Sequence, residues 1–174
     1  ANIIPWQMVA QENGYELKYI KINDDFTLDL DDLNEKLSSK TKVVSIVGES
    51  NLSGLLPDIK EITKLVREKT ESILIIDGAQ LVPHRKIDVQ DLGIDFLVFS
   101  GHKMLGTTGI GVVWGKKEIL ENMEPVYGGG DMIEEVFYDN ATWAPIPHKF
   151  EAGTPPYVEA IGLGAAIDYL NKIG

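Results

Sequence analysis

Residues 72–80 read SILIIDGAQ and residues 96–106 read FLVFSGHKMLG. Each opens as a short apolar run and stops abruptly on small and polar residues. An unbroken apolar run of this length, too short for a helix, reads as a strand covered on both faces, the pattern of parallel sheets. Residues 42–48, KVVSIVG, and 109–115, GIGVVWG, repeat it. Between residues 42–48 and 72–80 lies PDIKEITKLVREK, with Pro57 and Asp58 at its start and Ile59, Ile62, Leu65 and Val66 on one helical face. Strands alternating with helices predict a three-layer α/β/α fold on a mainly parallel sheet. FLVFS and GIGVVWG stand too close for a helical crossover, so that pair is expected to run antiparallel and make the sheet mixed.

The flanking elements are read outward from this centre. Residues 1–14, ANIIPWQMVAQENG, predict a helix with Asn2 as N-cap, Pro5 in the first turn and an Asn13-Gly14 stop. Residues 15–22, YELKYIKI, alternate as a strand does. Leu30, Leu33 and Leu37 mark a helix whose acidic residues Asp29, Asp31, Asp32 and Glu35 are expected to be solvated. DVQDLG is a helical turn and KKEILENM a short helix. Residues 125–156 are rich in Pro and Gly and read as a long irregular excursion, the kind of loop that is usually functional. A final helix carries the small residues Gly162, Gly164, Ala165 and Ala166, suited to close packing. His84 is read as a structural loop histidine and GGGDM, 128–132, as a turn.

Composition removes several classes of function. The 174 residues are 44% hydrophobic and 25% charged, as in ordinary globular proteins. A net charge of −11 argues against a nucleic-acid partner, which needs a basic footprint. No apolar run reaches the length of a membrane span, so no membrane partner is expected. The absence of cysteine leaves no disulfide and no thiolate metal site, and a metal site is not expected; this fits a cytoplasmic location.

Ligands of open α/β sheets sit beyond the carboxyl ends of the strands. There VVSIVGESN ends on Ser50 and Asn51, ILIIDGAQ on Asp77 and Gln80, and FLVFSGHK on Ser100, His102 and Lys103. An acid and a lysine on neighbouring strand ends suit pyridoxal 5'-phosphate. The lysine amine takes up its aldehyde as an imine, and the carboxylate pairs with the pyridinium nitrogen, keeping the ring able to absorb electrons. Such a lysine works best in a partly buried, electropositive site. Gly101 allows close approach of the backbone, and Ser100 and His102 can donate to a phosphate. Taken singly each residue has a plainer role. Asp77 is a turn residue, Lys103 a solvated lysine, and Gln80 and Asn51 satisfy loop backbone. Their joint occurrence in order favours the site.

The segments NIIPWQ, SNLSG, IDGAQ, IDFLVFSGHKMLGTTGIGVVWG, YGGGDMI, TWAPIPHKFEAGTPP and IGLGAAIDYL carry a specific resemblance. The chain resembles the large-domain segment of pyridoxal-phosphate-dependent cysteine desulfurases of the sulfur-mobilisation branch, within the class V aminotransferases of fold type I. The resemblance spans Asn2 to Leu170. It implies that Lys103 holds the cofactor and acts as general acid and base at the substrate α-carbon. It implies that Asp77 pairs with the ring nitrogen, Gln80 bonds the ring oxygen, and Ser100 and His102 bind phosphate. Asn51 would lie near the substrate or ring hydroxyl. Thr154 would reach the phosphate of a neighbouring subunit, which predicts a homodimer. The implied substrate is L-cysteine, converted to alanine and an enzyme persulfide, with a sulfur-acceptor protein serving iron–sulfur cluster assembly.

Departures from the family pattern fall at three places. VGESN, with Gly48 and Glu49, stands where the family has THVSN; GHKMLGTTG replaces GHKLYGPTG; and Lys149 replaces an arginine ahead of FEAGTP. The stacking histidine, a threonine-bearing phosphate loop, the nucleophilic cysteine and the substrate-binding arginine of the family have no counterpart in residues 1–174. Those residues are therefore expected to be the central part of the cofactor-binding large domain of a protein about twice as long, and inactive alone. Two other readings stay open: a different class V enzyme, such as a selenocysteine lyase, an epimerase or an aminotransferase, or a non-catalytic module that keeps the fold.

Overall fold

A computed structural model describes residues 2–174. The chain forms two compact units, one ending at Phe99 and the other running Ser100–Gly174. The fold is α/β and its sheet is mainly parallel, as the alternation of elements predicts.

The first unit is built on β1 (Val43–Val47), β2 (Ile73–Asp77) and β3 (Phe96–Ser100). β2 lies between the other two and pairs in parallel with both; Val47 is opposite Asp77, and Asp77 is opposite Val98. The crossover from β1 to β2 is α3 (Ile59–Lys69), following α1 (Ile3–Asn13) and α2 (Leu30–Lys36). Asp58 caps α3 by accepting from the Glu61 amide, and Ile59, Ile62 and Val66 enter the core with Val44, Ile46, Leu74, Ile76 and Phe96. Asp88 caps α5 (Val89–Leu92), which ends on Gly93 at φ 66°, as the Asp-to-Gly spacing predicts. Between them α4 (Leu81–His84) is a single turn that the sequence did not announce, and His84 is its exposed last residue rather than a loop residue.

The amino ends of β2 and β3 are locked by one ion pair. Asp95 is buried, and its Oδ2 accepts from the Leu74 amide at 2.7 Å and from Arg67 Nη2 at 2.6 Å. Arg67 also donates to the carbonyls of Ser72 and Gly93. One guanidinium thus ties α3, the entry to β2 and the entry to β3.

Three expectations are corrected here. Residues 15–22 form no strand, and Ile22 makes a single antiparallel bridge to Leu28. Their backbone is satisfied elsewhere: the Lys21 amide donates to Asp32 Oδ2 at 2.9 Å, and the Tyr19 carbonyl accepts from Lys36 Nζ. The acidic first turn of α2 is not wholly solvated, because Asp32 is buried between the ammonium groups of Lys36, at 2.5 Å, and Lys21, at 3.3 Å. Asn2 precedes α1 without capping its backbone; its side chain accepts from the Trp6 indole instead.

The second unit holds β4 (Gly111–Gly115), α6 (Lys117–Asn122) and α7 (Tyr157–Ile173). The excursion at 125–156 is more ordered than its composition suggests. β5 (Ile133–Val136) and β6 (Ala141–Trp143) pair antiparallel, and the Phe137 amide bonds the Asn140 carbonyl to close the hairpin. On α7, Gly162, Leu163 and Ala166 share an inward face, whereas Gly164 and Ala165 are exposed. No helix among the described residues is long and apolar enough to cross a membrane.

Two outcomes are expected. The hydrogen bond from Lys36 is the main cause that lowers the Asp32 carboxyl from 3.8 to about 2, aided by the Lys21 amide. A carboxyl depressed in the folded state stabilises fully above the ordinary aspartate range and loses that contribution as pH falls toward 2. Denaturant titrations between pH 5 and 2, on the order of the window these values define, should therefore show a shallower acid loss in Asp32→Asn than in wild type. Asp95→Ala strands the Leu74 amide and the Arg67 guanidinium, and should cost about 3 kcal/mol in equilibrium unfolding.

Candidate functional site

In the first unit the carboxyl ends of β1 and β2 are joined through backbone. The Gly48 amide donates to the Asp77 carbonyl at 2.8 Å, and the Gly78 amide to the Val98 carbonyl at 2.8 Å. Both positions are glycine for reasons of space. A Cβ on Gly48 would lie 2.8 Å from Leu81 Cδ2, and one on Gly78 would lie 2.7 Å from Leu97 Cδ1. Asp77 is half-buried, and its Oδ1 accepts from the Ala79 amide at 3.0 Å, which fixes the carboxylate and leaves Oδ2 without a protein donor among the described residues. Gln80 follows at the start of α4, half-buried, with no side-chain cap bond. Asn51 is exposed in the turn after β1, where Ser50 Oγ gathers the amides of Leu52 and Ser53. The structure therefore places Asn51, Asp77 and Gln80 on the residues that leave adjacent parallel strands.

In the second unit Ser100 passes directly into a 3-10 turn, Gly101–Met104, which carries His102 and Lys103. The turn is held at both ends: the Gly101 amide bonds the Ile110 carbonyl at 2.9 Å, and the Gly106 amide bonds the Gly101 carbonyl at 3.0 Å. Met104 is buried and acts as its anchor. Leu105 adopts φ 64°, a left-handed conformation unusual for a residue with a side chain. His102 and Lys103 are exposed, and neither side chain makes a hydrogen bond among the described residues. Among these residues Lys103 is more exposed than the partly buried setting that its chemistry favours, and it projects from a backbone held at both ends. Thr154 is exposed on a separate loop, next to Gly153 at φ 88°. That loop is pinned to the GGG segment, since the Gly153 amide bonds the Gly130 carbonyl and a Cβ on Gly129 would lie 3.1 Å from the Gly153 nitrogen. The run GGGDM is therefore a backbone-to-backbone contact as well as a bend.

Sequence reasoning did not single out Arg67, Asp95 or Thr107. The Thr107 hydroxyl donates to the Glu159 carbonyl, and its methyl fills the space that a Cβ on Gly162 would need, at 2.8 Å. The glycine pattern of the closing helix was the available signal for that contact. Among the described residues no group of three or more His, Asp or Glu side chains is placed to hold a metal ion.

A sheet of parallel strands with acid and amide at its carboxyl edge, and a lysine-bearing turn directly after a strand, defines the class to look for. Residues 1–174 match the model of the class-V aminotransferases over their whole length, and the chain belongs to that family. It is 51% identical over 174 residues to a probable cysteine desulfurase of Streptomyces coelicolor, covering 41% of that protein. It is 45% identical over 174 residues to a cysteine desulfurase of Haloferax volcanii, again 41% of its length. Among solved structures it is similar to the cysteine desulfurase CsdA from Escherichia coli in an S-sulfonic acid form. The two are 40% identical with a TM-score of 0.94, over 98% of this chain and 42% of that one. The chain thus spans about two fifths of the length of the curated relatives it matches.

Two glycine substitutions should separate contact from propensity. A Cβ at position 106 would stand 2.9 Å from the Gly101 carbonyl oxygen, which is backbone and cannot yield. Gly106→Ala should cost about 1–3 kcal/mol. Gly164 lies within α7 with nothing within 4 Å of a built Cβ, so Gly164→Ala should stabilise by about 0.5–1 kcal/mol. Equilibrium denaturation of the two variants checks both signs.

Proposed function

We propose that residues 1–174 are the central part of the pyridoxal-phosphate-binding large domain of a cysteine desulfurase. The observation that carries this is identity of 51% and 45%, over every residue of the chain, to proteins named for that activity. Asp77 supports the cofactor assignment. One of its carboxylate oxygens is held by the Ala79 amide and the other has no protein donor among the described residues, as an acid paired with a ring nitrogen requires.

The cofactor, when bound, supplies an electron sink for bond breaking at the substrate α-carbon. Asp77 keeps the proton on the ring nitrogen. Gln80 donates its amide to the ring oxygen, and Ser100 and His102 hold the phosphate. Lys103 would hold the cofactor through its amine and would move the proton at the substrate α-carbon. Asn51 lies beside the substrate or the ring hydroxyl. Thr154 binds the phosphate of a second subunit, so the working form is a homodimer. L-cysteine yields alanine, and its sulfur passes through an enzyme thiol to an acceptor protein for iron–sulfur cluster assembly in the cytoplasm. These 174 residues contain no cysteine, so that thiol is not among them.

A second reading, another class-V activity such as a selenocysteine lyase, is favoured by Glu49. Its Oε2 is shielded from solvent and has no hydrogen-bond partner among the described residues, immediately past the end of β1. An unsatisfied acid there alters what a ligand meets.

The test uses the full-length protein with L-cysteine. Wild type should show the absorption band of the lysine-bound cofactor and release alanine. Lys103→Ala should lose the band and slow alanine release by about 10³-fold or more. An unchanged spectrum and rate in that variant overturns the assignment of Lys103. A wild-type protein that binds the cofactor but releases no alanine from L-cysteine selects the second reading.

A further inference from the structure

The second unit contains a cleft of about 780 Å³, a volume in the range of small-molecule sites. None of the sequence-predicted site residues lines it. Its wall is mixed: Leu120, Trp143, Pro145, Ile146 and Pro147 give an apolar part, and Lys117, Glu121, Glu124 and Lys149 a charged one. Lys149 is only 8% exposed. Its Nζ donates to the Glu121 carbonyl at 3.0 Å, in the last turn of α6, and lies 5.1 Å from the centre of the Phe150 ring. Among the described residues no carboxylate stands within ion-pair distance of it.

A buried ammonium without an anion is costly, and a carbonyl and an aromatic face offset only part of that cost. An ammonium has three donors, and one is used here. The acids nearest in the lining are otherwise engaged: Glu121 pairs with Lys117 at 3.6 Å, and Glu124 Oε2 accepts from the Trp143 indole at 2.9 Å. Both glutamates are exposed, so they leave the buried charge unmatched and disfavour entry of a polyanion.

We propose that this cleft binds a small organic monocarboxylate with an apolar or aromatic body. The carboxylate meets Lys149 as a charge-assisted hydrogen bond. The body lies on the indole of Trp143 and the two prolines, and the exposed glutamates restrict the ligand to one negative charge. The position is one where the family resemblance has arginine, which keeps the cation but changes its reach. This site is independent of the cysteine-desulfurase reading.

The experiment titrates the full-length protein with phenylacetate and with its neutral isostere phenylacetamide, reading tryptophan fluorescence with calorimetry in parallel. Phenylacetate should quench saturably and bind about tenfold tighter than the amide. Lys149→Arg should keep that preference. Lys149→Met should abolish it, and the variant is expected to fold because it removes an uncompensated buried charge. Trp143→Phe should lose the fluorescence change while calorimetry still detects binding. Equal affinity for acid and amide in wild type overturns the proposal, as does a preference that survives Lys149→Met or a quench that survives Trp143→Phe.

Discussion

The backbone bonds from Gly48 to Asp77 and from Gly78 to Val98 hold the carboxyl edge of the first unit together. Each carries the ladder one step past the end of its strand and binds the next strand sideways. A Cβ at either position would push on a terminal methyl of Leu81 or Leu97, so a side chain there requires those leucines to shift. Strand ends usually fray into loops, yet here β1, β2 and β3 leave the sheet at heights that backbone alone determines. Asp77 inherits its position from that arrangement, and the Ala79 amide then fixes its carboxylate. The opposite edge is set by Arg67 and Asp95, so each end of β2 has its own constraint.

The second unit solves a related problem with the same residue. Gly106 closes a turn on Gly101, Gly129 lets one loop touch another at Gly153, and Gly162 lets α7 meet Thr107. These contacts leave long side chains such as His102 and Lys103 exposed on backbone that is not free to move. An exposed amine on a fixed turn combines access with a defined point of departure. Such a combination suits covalent attachment better than a lysine on a mobile loop would.

Most of this was legible because its causes are local. The apolar runs at β1, β2 and β3 and the Asp-capped helices α3 and α5 announce themselves through period and capping chemistry. The polar residues that leave the strands could be read as a set because parallel sheets place them on one edge. What failed depends on partners distant in sequence. Residues 15–22 alternate like a strand, but the Lys21 amide donates to Asp32 and the Tyr19 carbonyl accepts from Lys36, which period cannot reveal. Asp32 sits in a run of acids and only burial singles it out. The Arg67–Asp95 pair spans 28 positions, and the burial of Lys149 depends on a carbonyl equally far away. The β5–β6 hairpin was hidden because Pro and Gly around it outweighed seven strand residues.

Met132 leaves the hairpin with one further property. Among residues 131–144 it alone is fully buried, while β5 and the connecting turn are exposed and Ala141 and Trp143 of β6 are half-buried. A two-stranded ribbon is marginal by itself in water. Its attachment rests on the Met132 thioether, a group that peroxide converts to a polar sulfoxide, together with the Trp143 indole bonded to Glu124. Oxidants should reach the exposed Met8 and Met123 first, and Met132 only when the ribbon opens, after which the sulfoxide would hinder its return.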